Sequence, residues 1–553
     1  MRQPDRSFDA EADVSAALDA MNAEELRAFI LETLAVLDGG RRGQIEEALF
    51  KRAARGAAGW HPRPAPSGLI PDLERFVATA CRLGSADPSQ VDEYLREGVK
   101  ASLAADHQTA KAIFRTLLTP ISQAGFDLGQ DELIDEVLAI DVHECAVRYI
   151  LAVYSTTPLQ DRADGVLSAI EFVHPVASVC DPIAAMEQVL AGPLRELEAF
   201  LPAWVRRLER VKTTAGDWES DHDRSLREAI TRSEGIEGLE RLARSSRRQA
   251  PMRAWCAAVV ETGDWNRALR AYEDAATLVT SAQWVGDFVD GAALAAQQLG
   301  LTDATERLEA AWLAAPSLTR LLRWLDAGAP DAEALRRRAS SALKQSPPKS
   351  PRLLGVLSLV AGDVASAAAL LKESSRLGWS SDAHPGHILF PVFAWLLGAD
   401  PSGAIRDQLT LVAEPSTGSV LDYGLEVDVG VAVTPTAPRV GKPRLPEPSL
   451  VHVLLESNLT RELTSEDRAI MLDAMRAAAT GRIYGVLGEK RRRQYSHAAA
   501  LVACCVALER SGGKTASTLP DWVAALGQEA SRFPAFQKAL RAALDETRLR
   551  EMA

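Results

Sequence analysis

Few residues in this sequence have the type and spacing that chemistry requires. His143-Glu144-Cys145 and Asp221-His222-Asp223 could offer metal ligands or a thiol nucleophile. A zinc site needs three or four ligands, and neither group has a second cluster at ligand spacing. No cysteine has the surroundings of a known nucleophile, although the sequence leaves open a Cys–His pair built from distant positions. We therefore expect no metal, no cofactor and no enzymatic activity.

The six cysteines of the chain form no CxxC pair. Three of them, Cys81, Cys256 and Cys504, lie in apolar runs with helical spacing. Free cysteine is among the most buried residue types in proteins. We therefore expect these thiols to be buried and free.

A glycine-rich stretch near the C-terminus is reminiscent of a phosphate-binding loop. Gly512-Gly513-Lys514-Thr515 has the end of that motif, but the full motif needs a further glycine where Leu508 stands. It also needs a preceding strand, whereas the residues before it have a helical pattern. A turn between two helices is the interpretation that we favour.

Two histidines and a tryptophan form the most unusual polar cluster. His384 and His387 flank Pro385-Gly386, which forces a turn, and Trp379 precedes them. The histidines can bond to helix ends around this turn, which we favour, or they can form a ligand or partner site. An exposed tryptophan often anchors a protein interface. Trp379, His384 and His387 are therefore candidate partner-binding residues.

The charge of the chain limits its partners. It has 553 residues and a net charge of −13, which argues against nucleic acid. The basic clusters at 244–248 and 490–493 are short and typical of solvated helix ends. No segment has 18 consecutive apolar residues, and the N-terminus lacks the apolar core of a secretory signal. We expect no membrane contact and a cytoplasmic location.

The elements that carry these residues have the pattern of helices joined by short turns. Asn22 and Glu25 fit a capping box, after which apolar residues recur at helical spacing. Four prolines between Trp60 and Pro71 indicate a linker. The sequence predicts an N-terminal helical unit (1–58), a proline-rich linker (59–71), a helical-repeat array (72–412), an excursion (413–448) and a C-terminal helical module (449–553).

A small–large–small spacing recurs within the predicted array. It occurs at Ala268-Tyr272-Ala275, at Ala304-Leu308-Ala311 and at Ala367-Leu371-Ser374. A small residue lets two helices approach closely, and the large residue one turn later fills the groove beside it. These spacings resemble the second helix of tetratricopeptide repeats. The predicted fold is all-α, an α-solenoid of irregular tetratricopeptide-like helical hairpins.

The excursion interrupts the helical rhythm with six prolines and a short β-like pattern. Val427, Val429 and Val431 alternate with smaller or acidic residues, which is typical of a strand. A strand in a helical protein needs a partner, so these valines are candidate contact residues. An ordered excursion that packs on the helices is the alternative. Arg439 and Arg444 are candidate cleavage sites for a protease.

Two stretches resemble a known family. The first is Gly362-Asp363 with Leu377-Gly378-Trp379-Ser380 and His384-Pro385-Gly386-His387; the second is Tyr495 to Val502 with Trp522-Val523 and Arg532 to Phe536. They are similar to the helical-repeat region of uncharacterised bacterial proteins that carry SWIM-type zinc fingers. The resemblance implies a long tetratricopeptide-like array. The zinc finger itself is missing, so its metal and nucleic-acid roles do not transfer.

These observations predict a protein-binding scaffold or adaptor without catalysis of its own. Stacked helical hairpins bury one continuous core and leave an extended surface for a partner. One alternative is a regulatory protein that is controlled by proteolytic cleavage within 414–448. Another is a nucleic-acid-binding helical protein, whose affinity would fall steeply with salt.

Overall fold

Turn residues set the limits of many helices in the computed structural model. Gly263 has a φ of +75°, a conformation that costs glycine little, and the carboxylate of Asp264 accepts a hydrogen bond from the amide of Arg267 at 2.9 Å. Gly362, with a φ of +84°, and Asp363 repeat this arrangement. The Gly-Asp turns therefore end one helix and begin the next.

The structure describes residues 7–56, 60–129, 134–211, 219–379, 381, 384–398, 443–511 and 519–551. Over these ranges it is all-α, with 26 α-helices, three 3₁₀ helices and no β-strand. The 3₁₀ helices are Ile134–Glu136, Arg492–Gln494 and Ala530–Arg532. No helix of the described ranges is long and apolar enough to cross a lipid bilayer. The valine-rich strand predicted within 413–448 lies outside the described residues.

The chain divides into two compact units, which are Met1–Trp255 (unit 1) and Cys256–Ala553 (unit 2). The division falls inside helix α12 (Gln249–Glu261). The helices of unit 1 before α12 are α1 (Ser7–Ala20), α2 (Ala23–Val36), α3 (Gly39–Arg55), α4 (Leu69–Leu83), α5 (Pro88–Leu103), α6 (His107–Ser122), α7 (Val142–Thr156), α8 (Leu159–Val173), α9 (Pro182–Leu190), α10 (Leu197–Glu209) and α11 (Asp221–Ser246).

Successive packing organises unit 1. From α5 to α8 each helix packs against the next one along the chain. Helices two apart also pack together: α3 packs against α5, α5 against α7, and α7 against α9. The core contains Phe114 of α6, Ile150 of α7 and Trp204 of α10, all fully buried. Packing of each helix against its near neighbours in sequence is typical of an all-α, solenoid-like fold.

Unit 2 continues with helices that are mostly joined by short turns. They are α13 (Trp265–Leu278), α14 (Ala282–Gln298), α15 (Ala304–Ala314), α16 (Leu318–Asp326), α17 (Ala332–Gln345), α18 (Pro351–Val360), α19 (Val364–Lys372), α20 (Gly386–Leu397), α21 (Leu450–Glu456), α22 (Leu459–Glu462), α23 (Ser465–Gly488), α24 (Tyr495–Ser511), α25 (Leu519–Glu529) and α26 (Pro534–Glu551).

The packing order changes towards the end of unit 2. Helices α13 to α19 pack in succession, but α19 and α20 both pack against α23, which follows much later in the chain. Helix α24 then packs against α20, α23 and α26. The turn between α19 and α20 is thereby brought next to the C-terminal helices.

Small residues allow the close approach of helices α13 and α14. Ala268 and Ala275 are fully buried, as expected from the small–large–small spacing. A Cβ atom on Gly291 of α14 would stand 2.3 Å from the Tyr272 ring of α13, so this contact requires glycine. The spacing predicts the contact surface of α13, whereas the pairing with Gly291 depends on how the two helices pack.

The proline-rich segment before α4 lies close to neighbouring helices. Trp60 stacks on Phe50 of α3 with ring centroids 5.6 Å apart, and the His61 Nδ1 atom donates to the Leu103 carbonyl at 3.2 Å. Helix α3 itself belongs to the same compact unit as α5 and α7. The five predicted segments thus differ from the two contact-defined units, and their boundaries stay a prediction.

Candidate functional site

The turn that precedes helix α20 holds Trp379 and His384 in the core of unit 2. Their exposed fractions are 4% and 6%. The amide of Gly386 donates to His384 Nδ1 at 3.0 Å, so His384 Nε2 carries the proton and donates to the Ser375 carbonyl at 2.9 Å. The Trp379 ring packs against the imidazole with a centroid distance of 5.0 Å. Both residues are therefore parts of a folded turn.

The environment of His384 favours the neutral imidazole. Burial lowers the pKa of His384, and the positive charge of Arg482 lowers it further, while the bond to the Ser375 carbonyl opposes them. Protonation would also remove the acceptor for the Gly386 amide. His384 thus acts as a neutral connector between the turn and helix α20.

The remaining predicted contact residues are not brought together by the described structure. His387 is half-buried in the first turn of α20, and Arg444 is exposed in an extended stretch before α21. Four further candidates lie outside the described residues; they are Val427, Val429, Val431 and Arg439. Of the eight predicted contact residues, Trp379 and His384 are the two that the structure shows in ring contact with each other.

Tertiary structure brings one cysteine next to a histidine and an aspartate in unit 1. The Cys180 thiol donates to Asp221 Oδ1 at 3.2 Å, and His174 Nδ1 lies 3.5 Å from Asp221 Oδ2. Burial raises the pKa of Cys180, and the bond to Asp221 acts in the same direction, while the contact with Ser178 opposes them. A thiol that donates to a carboxylate is held protonated, which disfavours it as a nucleophile. Asp221 is the first residue of helix α11.

The thiols are less uniformly buried than expected. Cys145, Cys256, Cys504 and Cys505 are buried, but Cys81 is exposed, because it lies on the solvent side of α4. Burial raises the pKa of Cys504 to about 12. Among the residues that the structure describes, no group of three or more His, Cys, Asp or Glu side chains is arranged to hold a metal ion.

The first helices of unit 1 leave large apolar side chains in solvent. We call this set the N-terminal apolar surface; it comprises Val14, Leu18, Met21, Phe29, Ile30, Leu31 and Val36, which are between 36% and 84% exposed. Val14 and Leu18 are four residues apart, so they share one side of α1. Phe29 and Val36 are seven residues apart and share one side of α2. Large apolar side chains that are exposed together on one side of a helix are candidates for contact with a partner.

Local signals in the sequence define helix α2. Asn22 Oδ1 accepts from the amides of Glu24 and Glu25, and the Glu25 carboxylate accepts from the Asn22 amide at 2.8 Å. The predicted capping box is therefore confirmed. Leu34 is the buried residue of this helix. The other apolar residues of α2 are half-buried or exposed.

Ion pairs join helix α3, which follows this surface, to the rest of unit 1. Lys51 Nζ lies 2.5 Å from Glu47 and 2.6 Å from Glu144 of α7, and Arg148 pairs with Glu144 at 2.7 Å. Burial alone would raise the pKa of Glu144, but Arg148 and Lys51 outweigh it and lower that pKa. Likewise, burial alone would lower the pKa of Lys51, but the carboxylates of Glu144 and Glu47 outweigh it and raise that pKa. This network ties α3 to α7.

The charge of α1 and α2 is strongly one-sided. Residues 7–38 contain eight acidic side chains and one basic side chain, Arg27. The acids surround the exposed apolar residues in the sequence; they are Asp9, Glu11, Asp13, Asp19, Glu24, Glu25, Glu32 and Asp38. The acids of this set whose side chains the structure describes are exposed; they are Asp19, Glu24, Glu25, Glu32 and Asp38. A surface with these acids beside apolar residues favours a partner that is both apolar and basic.

Sequence reasoning missed Phe29, Leu31 and Val36 as surface residues. The helical spacing of the apolar residues predicted a helix and did not say which of its sides is covered. A signal was present, because Leu31 and Val36 fall off the stripe that Leu26, Ile30 and Leu34 would form. An amphipathic helix with apolar residues on more than one side has more than one surface to cover.

Comparison with known protein families and with curated proteins finds no match for this chain.

Proposed function

We propose that this protein is a scaffold or adaptor that binds another protein through the N-terminal apolar surface, without catalysis of its own. The observation that carries the proposal is the exposure of Phe29 and Val36 on one side of α2, at 50% and 84%. Large apolar side chains in water favour burial against a partner by about 25 cal/mol per Å². In this proposal the helical repeats are tetratricopeptide-like and act as the rigid support.

The occupant that fits the surface is a basic amphipathic helix of a partner protein. An apolar face on that helix would cover Phe29 and Val36, as in helix-in-groove recognition. Lysine and arginine beside that face would meet the acids of α1 and α2, of which Glu25 and Glu32 are the nearest in sequence to Phe29. A second copy of the chain fits less well, because two surfaces of the same negative charge repel each other.

Site-specific photo-crosslinking in the cells that produce the protein tests this proposal. A photoreactive residue at Phe29 should yield a covalent adduct whose partner peptide is basic and apolar. The matched control places the photoreactive residue at Arg27, which is exposed on the same helix but points to the opposite side. Val36→Ser should abolish the adduct while changing the free energy of unfolding by roughly 0.5 kcal/mol or less, because the side chain is exposed.

Two results would contradict the proposal. One is an equal yield of adducts from positions 29 and 27, since non-specific collisions do not depend on the side of the helix. The other is an adduct between two copies of this chain, which would make the surface a self-association site. The cytoplasmic location and the kinship with bacterial SWIM-associated proteins remain predictions beside this one.

A further inference from the structure

A strongly basic cleft lies in unit 2. It has a volume of about 440 Å³, and its lining residues are Gly378, Trp379, Arg482, Lys490, Arg491, Arg492, Arg493 and Gln494. Five of these eight residues are cationic and none is acidic. The cleft shares no residue with the N-terminal apolar surface, and its composition stands out in a chain with a net charge of −13.

The innermost cation of the cleft, Arg482, is buried without a counter-charge. Its exposed fraction is 4%, and Nη2 donates to Gln494 Oε1 at 2.9 Å. Its Nε is buried and has no hydrogen-bond partner, and no carboxylate of the described residues forms an ion pair with Arg482. Arginine is almost never buried unless it is paired, because an isolated charge is costly to remove from water.

The electrostatic surroundings of Arg482 are those of an uncompensated charge. Burial lowers the pKa of Arg482 to about 10, and the positive charge of Arg491 acts in the same direction. The charge of Arg482 in turn lowers the pKa of the neighbouring His384. The acid nearest in sequence to the basic run is Glu489, which pairs with Arg491 at 3.4 Å on the surface. An anion in the cleft would relieve these repulsions.

A backbone reversal gathers the cationic side chains. Helix α23 ends at Gly488, and Lys490 has a φ of +52°, a left-handed conformation that is uncommon outside glycine. The chain then folds back, so that the amide of Arg491 donates to the Val486 carbonyl at 2.9 Å. The following 3₁₀ helix, Arg492–Gln494, brings Gln494 onto the Arg482 side chain.

The residues that line the cleft are rich in donors and poor in acceptors. Arginine and lysine offer only donors, and Trp379 adds an indole N–H that is also buried without a partner. Arginine forks match the geometry of phosphate and carboxylate oxygens. A lone carboxylate carries one charge, whereas a phosphoryl group carries nearly two and offers three acceptor oxygens. Glu489 pairs with only one of the five cations, Arg491, so the remaining positive charge favours a phosphoryl group over a single carboxylate.

We propose that this cleft, with Arg482 at its centre and Lys490–Arg493 around it, binds a phosphoryl group of a small molecule or of a phosphorylated side chain. The cleft volume lies within the range of small-ligand sites, roughly 300–1,000 Å³. A nucleic acid strand would need a basic track that follows several phosphates, and the cations here converge on one cleft. The site does not depend on the N-terminal apolar surface.

Calorimetric titration of the full chain at low ionic strength tests this site. The probes are inorganic phosphate, pyrophosphate and a phosphoserine peptide, with the unphosphorylated peptide and acetate as reference anions. We expect saturable binding of at least one phosphoryl probe and at least tenfold weaker binding to Arg482→Met. Arg461→Gln makes the same change in net charge at an exposed position of α22 and should leave the affinity unchanged.

Thermal unfolding of the same variants separates a binding role from a structural one. Since Arg482 is an unpaired buried charge, Arg482→Met should unfold at the same or a higher temperature than the wild type without ligand. The phosphoryl probe should raise the unfolding temperature of the wild type and not that of Arg482→Met. Arg482→Lys keeps the charge but loses the fork, so we expect an intermediate affinity.

The outcomes distinguish the ligand sources and the contrary cases. Tighter binding of the phosphopeptide than of phosphate and pyrophosphate assigns the group to a partner protein, and the reverse order assigns it to a small molecule. Equal binding of acetate and phosphate, or no binding of any phosphoryl probe, overturns the proposal. Binding of a single-stranded oligonucleotide would also overturn the proposal if Arg492→Gln weakens it and Arg482→Met leaves it unchanged. The binding site would then be a basic surface patch and not the cleft around Arg482.

Discussion

At the residue scale, the informative groups are those whose ionisation is decided by neighbours distant in sequence. His384 is neutral because its Nδ1 accepts from Gly386 and because Arg482 lies nearby. Arg482 is itself buried without a carboxylate among the described residues. Neither condition follows from the local sequence, since the two residues are about a hundred positions apart.

The lowered pKa of His384 predicts a dependence of stability on pH. The unfolded chain binds a proton on this residue near pH 6.5 and the folded chain binds it only at lower pH, so stability should fall as the pH falls below 6.5. His384→Asn retains an acceptor for the Gly386 amide and does not titrate. Unfolding temperatures from about pH 7.5 to about pH 5.5 should therefore fall less for the variant than for the wild type. Parallel curves for the two proteins would show that His384 contributes nothing.

At the element scale, Arg323 holds the stretch before α21 through two polar contacts. Arg323 Nε donates to the Pro446 carbonyl at 3.0 Å, and its Nη2 pairs with Glu447 at 3.1 Å. Leu445 is buried next to these residues. Arg444, a candidate cleavage site, therefore precedes residues that would have to leave their places before a protease could bind them.

This anchoring predicts slow cleavage after Arg444 in the folded protein. Arg323→Ala removes two hydrogen bonds, and one charged hydrogen bond contributes about 1.5–3 kcal/mol. We expect limited digestion with trypsin to cut the Arg444–Leu445 bond at least about tenfold faster in this variant. Arg337→Ala removes an exposed arginine of the same unit and should have no effect. Equal rates for the wild type and Arg323→Ala, read by mass spectrometry of the fragments, would count against the anchor.

At the scale of the whole molecule, two compact units share one continuous chain. Each has its own buried residues, with Trp204 and Phe114 in unit 1 and Trp312 and Phe393 in unit 2. A core of this kind can support independent folding. The boundary between the units falls inside α12 and not in a loop.

Unit 1 should therefore fold when it is made alone without the divided helix. We expect a fragment of residues 1–248 to show helical circular dichroism and one cooperative thermal transition. A fragment of residues 1–211 lacks α11, whose Ala229 and Ile230 are fully buried, and should be much less stable. Non-cooperative melting of the 1–248 fragment would show that unit 1 needs the rest of the chain.

The sequence by itself determined the all-α class and many helix limits of this protein. Capping at Asn22 and the Gly-Asp turns at 263–264 and 362–363 depend on residues within four positions, so they can be read locally. The small residues Ala268 and Ala275 likewise indicate a close helix contact from their spacing alone. Local chemistry is sufficient where the interacting groups are neighbours along the chain.

Only the tertiary structure decided which of these residues are exposed, buried or joined in a site. The apolar spacing of α2 does not say that Phe29 and Val36 are exposed, because coverage depends on where other elements pack. The basic run 490–493 has the pattern of a solvated helix end until Arg482 and Trp379 are placed beside it. Helix α23 meets the turn before α20 at Gly485, next to the Arg376 carbonyl about a hundred residues earlier, and no periodicity in the sequence specifies that contact.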